Sequence, residues 1–199
     1  MQTIDLSALI GSRICHDLIS PISAIGNGVE LMELSGIERT PEIDLIAQSV
    51  ENANARIRFF RIAFGKRGTG GKITKSDITG PLAALSAGGR VNFLWPSVSD
   101  SDRDDVQLVF LALLCIETAL ALGGDVTVQQ HGGQFEIHAR AKRINTPVEY
   151  WNALRDRPVT ADLPASHVQF ALLPQLAKQA ERQIDVVTDT DAGHIMIRL

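Results

Sequence analysis

Three residues near the N-terminus could act together chemically: His16, Asp17 and Pro21, in the stretch SRICHDLISPISAIGNG from Ser12 to Gly28. A neutral imidazole near pH 7 offers a lone pair with little activation, so an accessible His16 can attack a phosphoryl group as a nucleophile. Asp17 is next in sequence and about 100° further round a helix, where it can bias the tautomer of His16 or accept a proton. Pro21 lacks the amide that would bond the Asp17 carbonyl, a loss of about 3 kcal/mol in an unsupported helix interior. Such a cost, next to a histidine and an acid, invites a functional explanation.

The element carrying these residues is legible from its spacing. Ile10, Ile14, Leu18, Ile22, Ile25, Val29 and Met32 recur in steps of three and four, which predicts a helix over about Ser7 to Leu34. His16 falls opposite the centre of that apolar stripe and should face solvent. Ser12, Arg13, Ser20, Ser23 and Asn27 share its side and form the expected docking surface for a partner protein.

The stretch SGIERTPE then breaks the pattern: Thr40 suits an N-cap, Pro41 the first helical position and Glu42 the positive end of the dipole. A second helix should run from Pro41 to about Phe64, with Ile43, Ala47, Val50, Asn54, Ile57, Arg61 and Phe64 near one face. Two such helices make an antiparallel hairpin. A hairpin alone buries only one face of each helix, so pairing with a second copy into a four-helix bundle is the economical solution. Phe59 sits at the level of His16 but off the core stripe. It is a candidate contact for a docking partner, or else buried in the dimer core or against a second domain.

The bulk composition excludes several classes of partner. The 23 acidic residues outnumber 19 basic ones, for a net charge of −4, so no global positive field exists to hold nucleic acid or an anionic membrane. No run of about 18 apolar residues and no secretory signal pattern occurs, which places the chain in the cytoplasm. Cys15 and Cys115 lie far apart in apolar helical patterns, reading as packed, reduced thiols.

The stretch from Gly65 to Asp77, GKRGTGGKITKSD, has four glycines and no apolar periodicity, so it reads as a linker. It separates a hairpin domain over 1–66 from a second domain over 77–199. The second pattern is mixed: a short helix near Pro81 to Ala87, a strand RVNFLW, and an apolar helix from Asp102 to Leu122 with DSDRDD capping its start. The strands DVTVQQ and QFEIHARA flank His131, Gly132 and Gly133, which is good hairpin chemistry. Helices at Pro147 to Arg155 and Val168 to Gln179 follow, then a closing hairpin of RQIDVVTD and HIMIRL. The fold class is α+β, with helices on one face of a sheet. Trp95, Trp151 and Phe170 read as core or interdomain packing. His131, His138, His167 and His194 have no metal-ligand spacing, so no metal site is expected.

The segment His16-Asp17-Leu18-Ile19-Ser20-Pro21, followed by SAIGNGVEL, resembles the phosphoacceptor box of two-component signalling. More closely, it resembles the ChpT-type histidine phosphotransferases of alphaproteobacterial phosphorelays. That resemblance implies a dimeric helical hairpin with His16 as phosphoacceptor and Asp17 as its orienting or proton-accepting neighbour. It further implies a second domain built like the ATP-binding α/β sandwich of histidine kinases. The helix LVFLALLCIETALALGGDVTV resembles the helix of that domain that carries the magnesium-holding asparagine, and HVQFALLPQLAKQAERQIDVVTDTDAGHIMIRL resembles its closing elements.

The nucleotide chemistry of such a domain is missing. The asparagine falls at about Glu117 or Thr118, and neither fits. There is no DxGxG between the hairpin and the closing helix, no GxG leading directly into Val168, and no GxxxxGK[ST]. The expectation is a histidine phosphotransferase of a bacterial phosphorelay that takes its phosphoryl group from the receiver domain of a hybrid histidine kinase and passes it to response regulators. It would need neither ATP nor a metal of its own, since Mg2+ would belong to the receiver. Two other readings stay open: a dimeric scaffold that sequesters response regulators, and an atypical ATP-dependent histidine kinase fragment.

Overall fold

The first 29-residue helix, α1 (Leu6–Leu34), runs straight through Pro21 and ends where Gly36 turns the chain with φ +81°. The second, α2 (Pro41–Ala63), starts as its sequence dictates: Pro41 opens it, and the Thr40 side chain accepts the Ile43 amide. This is a computed structural model, and it describes residues 6–66, 71–155 and 163–199. The two helices pack antiparallel. They come together at Gly26, where an added Cβ would stand only 3.1 Å from the Val50 side chain.

Beyond the hairpin the expected linker is shorter than its composition suggests. Positions 67–70 lie outside the described residues. Lys72–Ile73 forms a short strand β1, and α3 (Lys75–Gly88) begins six residues before Pro81. The reason is local: the Thr74 hydroxyl accepts the Asp77 amide at 3.2 Å, a cap that starts the helix early and leaves Pro81 inside it. Strand β2 (Val91–Leu94) follows, then β3 (Ser101–Asp102), which pairs antiparallel with β1.

Helix α4 (Arg103–Ala119) is capped as the acidic run predicts, with Asp102 accepting the Asp104 amide at 2.8 Å. It ends three residues short of Leu122. Strands β4 (Gly124–His131) and β5 (Gln134–Arg140) are joined by Gly132 and Gly133, both at positive φ, in the two-residue turn such hairpins require. The helix expected over Pro147 to Arg155 is divided into α5 (Val148–Trp151) and a 3-10 turn at Ala153–Arg155. Positions 156–162 are outside the described residues. Another 3-10 turn (Ala165–His167), α6 (Gln169–Gln179), β6 (Asp185–Asp189) and β7 (His194–Arg198) complete the chain.

The main sheet has the order β2-β4-β5-β7-β6, with β2 parallel to β4 and every other pair antiparallel. Its inner face of Val126, Val128, Phe135, Ile137, Ile195 and Ile197 shares one core with α4 and α6, and α4 is buried on all sides. Trp95, Trp151 and Phe170 are core residues. The core does not stop at the hairpin: Ala55, Phe59, Ile62 and Ala63 of α2 belong to the same continuous cluster as Phe110 and Cys115 of α4.

Candidate functional site

His16 stands on the exposed flank of α1 with its side chain 84% accessible. Only Cys15, its neighbour on the α2-facing side, is buried in that turn. The Nδ1 atom of His16 lies 3.1 Å from Asp17 Oδ1, and the other carboxylate oxygen of Asp17 accepts from Arg13 Nε at 2.6 Å. The hydrogen bond to His16, followed by that from Arg13, holds the Asp17 carboxyl below its ordinary value, so Asp17 is ionised at neutral pH. An ionised carboxylate can only accept, so Nδ1 of His16 carries the proton. That leaves the lone pair on Nε2, which has no hydrogen-bond partner among the described residues. The chemistry available is nucleophilic attack by Nε2, with positive charge that develops on the ring met by Asp17.

The surroundings bear on the predicted docking residues one by one. Arg13, Ser20 and Asn27 are exposed and Ser12 and Ser23 half-buried, all on the side of α1 away from its apolar stripe. Phe59 is a correction to the exposed-contact expectation. It is 1% accessible and stacks on Phe110 with ring centroids 4.4 Å apart, so it belongs to the core and not to the surface around His16. The cause is that α2 buries two faces. Ile43, Val50 and Ile57 turn toward α1, whereas Ala55, Phe59, Ile62 and Ala63 turn toward α4. Arg61, placed by periodicity on the core stripe, is exposed.

At the position where a kinase-like helix would carry its asparagine, Glu117 receives both terminal nitrogens of Arg56 at 2.8 Å each, and Thr118 bonds its own helix through the Cys115 carbonyl. Arg56 comes from α2, 61 positions away in sequence, and helical periodicity gives no reason to single it out. The only sequence signal is the density of arginines in NANARIRFFR. Among the described residues no group of three or more histidine, cysteine or carboxylate side chains is placed to hold a metal ion. No helix among them is long and apolar enough to cross a membrane.

Comparison with known proteins converges on this arrangement. A family model described as the histidine phosphotransferase C-terminal domain matches residues 76–192. The chain is 31% identical over 192 residues to the protein phosphotransferase ChpT of Brucella abortus, an alignment that spans 94% of this chain and 91% of that protein. The chain belongs to the ChpT-type histidine phosphotransferase family. It is also similar to the solved structure of a bacterial phosphotransferase, at 28% identity and a TM-score of 0.70, over all of this chain and 97% of the other. The phosphotransferase therefore acts in two-component signalling, and its hairpin and α+β second part are the architecture of its relatives.

Proposed function

We propose that His16 is the phosphoacceptor of a phosphorelay, receiving the phosphoryl group from the aspartate of a hybrid kinase's receiver domain and passing it to the aspartate of a response regulator. The observation that carries this reading is the state of the imidazole: Nδ1–H is held by an ionised Asp17 while Nε2 is open to solvent. In the forward step Nε2 attacks phosphorus in line, the P–O bond to the donor carboxyl breaks, and the carboxylate leaves with the bonding pair. The proton on Nδ1 stays where it is, and Asp17 offsets the positive charge of the phosphorylated ring. Reversal onto a second receiver regenerates the free imidazole. Such transfers depend on positioning and charge neutralisation, and the Mg2+ that assists belongs to the receiver.

On this reading the chain charges His16 from another protein and not from ATP. The Glu117–Arg56 pair supports that, because it engages the side chain that stands about where the resemblance puts the magnesium-holding asparagine. A homodimer in the cytoplasm completes the reading. Ile10, Ile14, Leu18 and Ile25 leave an exposed aliphatic strip along α1, with Ile46 exposed on α2, and a second hairpin of the same kind would cover it.

The test uses the receiver domains encoded in the same genome, each charged with radiolabelled phosphate through its own kinase. One of them should label the wild-type protein within seconds to minutes, in an acid-labile, base-stable form, and the H16A variant should take up none. Equal label on H16A, or none on the wild type from any receiver, would overturn the proposal. Binding of receivers without label would favour the scaffold. Label taken directly from ATP would favour the kinase fragment.

A further inference from the structure

The chain as a whole is acidic, yet one hollow of about 140 Å³ is lined by four cations and one carboxylate: Arg58 and Arg61 of α2, Lys72 of β1, Arg103 at the start of α4, and Asp77. Asp77 is engaged with the Thr74 hydroxyl at 2.8 Å, and Asp102, paired across the strands from Lys72, is committed to capping α4. Arg103 donates to the Arg61 carbonyl at 3.3 Å. The side chains of Arg58, Arg61 and Lys72 have no ion-pair partner among the described residues, and all three are exposed.

Helical geometry sets this hollow beside His16. A Cβ on Gly11 would contact the Phe64 carbonyl, and one on Gly26 would contact Val50, which brings the level of His16 to about residues 59–60 of α2. Arg58 and Arg61 straddle that level. Burial pushes the Cys15 thiol up, and Arg61 is near enough to pull it part of the way back. The flank agrees as well as the level. His16 is one residue past Cys15, which faces α2, and Arg58 is one residue past Ile57, which faces α1. Each step turns the helix by about 100°, and because the helices are antiparallel both steps turn toward the same side of the hairpin. The aliphatic strip of α1 lies on the other side.

We propose that Arg58, Arg61 and Lys72 form an electrostatic docking wall for the acidic rim of the receiver domain that brings its phosphoaspartate to His16. This rests on the reading of His16 as phosphoacceptor. The occupant follows from charge complementarity: a carboxyl phosphate and the carboxylates that hold its magnesium make an anionic mouth, and at the level of His16 the protein offers exposed cations with no ion-pair partner among the described residues. Lys72 lies outside the hairpin, so the second part of the chain contributes to the wall. Exposed charges across an interface act mainly on encounter rate and register, and salt weakens them over about 8–10 Å. The wall therefore sets how readily a receiver is captured.

The experiment measures transfer from the receiver that labels wild-type His16 fastest, over a range of receiver concentrations and at low and high salt. With the full chain carrying R58E and K72E, the half-saturating receiver concentration should rise by about tenfold at low salt, and the difference should shrink as salt is added. The milder pair R58Q and K72Q should show the same trend with a smaller rise, which guards against a folding defect of the reversal. K178E, an equal charge change per residue on α6, should leave the half-saturating concentration alone. An unchanged half-saturation in the double variants, or an equal rise in K178E, would overturn the docking wall. Absence of label on wild-type His16 would instead remove the reading beneath it.

Discussion

Helix α4 buries every residue from Val106 to Ile116, whereas between Ile10 and Leu34 helix α1 buries only Cys15. Both are rich in aliphatic side chains, so composition does not separate them; their neighbours do. Helix α4 lies between the sheet, α6 and the lower turns of α2, and has apolar partners on all sides. Among the described residues, helix α1 packs mainly on α2. One helix is finished within the chain, and the other offers an aliphatic strip on one flank and an imidazole on the opposite one. A phosphotransfer protein needs both kinds of surface: a rigid interior to hold positions, and a helix that larger molecules can approach from two sides.

The comparison breaks most visibly if the core is cut. F110A removes the ring that stacks on Phe59 and should cost about 3–5 kcal/mol in urea unfolding, since the interior cannot collapse around the void. A cost under 1 kcal/mol would mean that α4 is less tightly enclosed than its burial indicates. On α1 the same kind of truncation should behave differently. L18A removes a side chain that is 47% exposed, so unfolding of the single chain should shift by only about 0.5 kcal/mol, while L18E should turn the proposed dimer into monomers by light scattering at micromolar concentration. Retention of the dimer in L18E would place the second copy elsewhere.

The smallest expected effect is in acid. On the outer face of the sheet, the Arg198 hydrogen bond to Glu136 holds that carboxyl below its ordinary value of 4.5. A carboxyl lowered in the folded state stabilises fully above its unfolded value, and the contribution disappears as pH falls through the folded one. The acid limb of a stability profile should therefore be shallower below about pH 4.5 in E136Q than in the wild type, with no difference in slope near neutrality. An identical acid limb would show that the pair adds nothing to folding.

Features that depend on one element and its immediate sequence were legible before any coordinates. The exposure of His16, the Thr40 and Asp102 caps, and the Gly132-Gly133 turn all follow from periodicity or from local backbone chemistry. Features that depend on which element covers which face were not. A single stripe read along α2 finds Ile43, Val50 and Ile57 but has no means of showing that its last turns carry a second buried face, so Phe59 stayed undecided between surface and core. The Arg56–Glu117 pair and the cations around Arg58 join segments far apart in sequence, and no spacing rule reaches that distance. The early start of α3 was within reach, because Thr74 precedes Asp77 by three residues, but the surrounding glycines and lysines dominated the segment.

The exit of α2 is held by a single buried side chain from the other helix. Gln107 of α4 donates to the carbonyls of Ala63 and Gly65, at 3.1 and 2.8 Å. Those carbonyls have no water to turn to, so α2 cannot fray from this end unless α4 also comes apart. Amide exchange in the last turns of α2 should accordingly keep pace with α4, while the turns near Gly36 exchange first. Since His16 lies level with the slow end, the opening motions of the hairpin die out before they reach it, and the imidazole is carried on the part of the hairpin that breathes least.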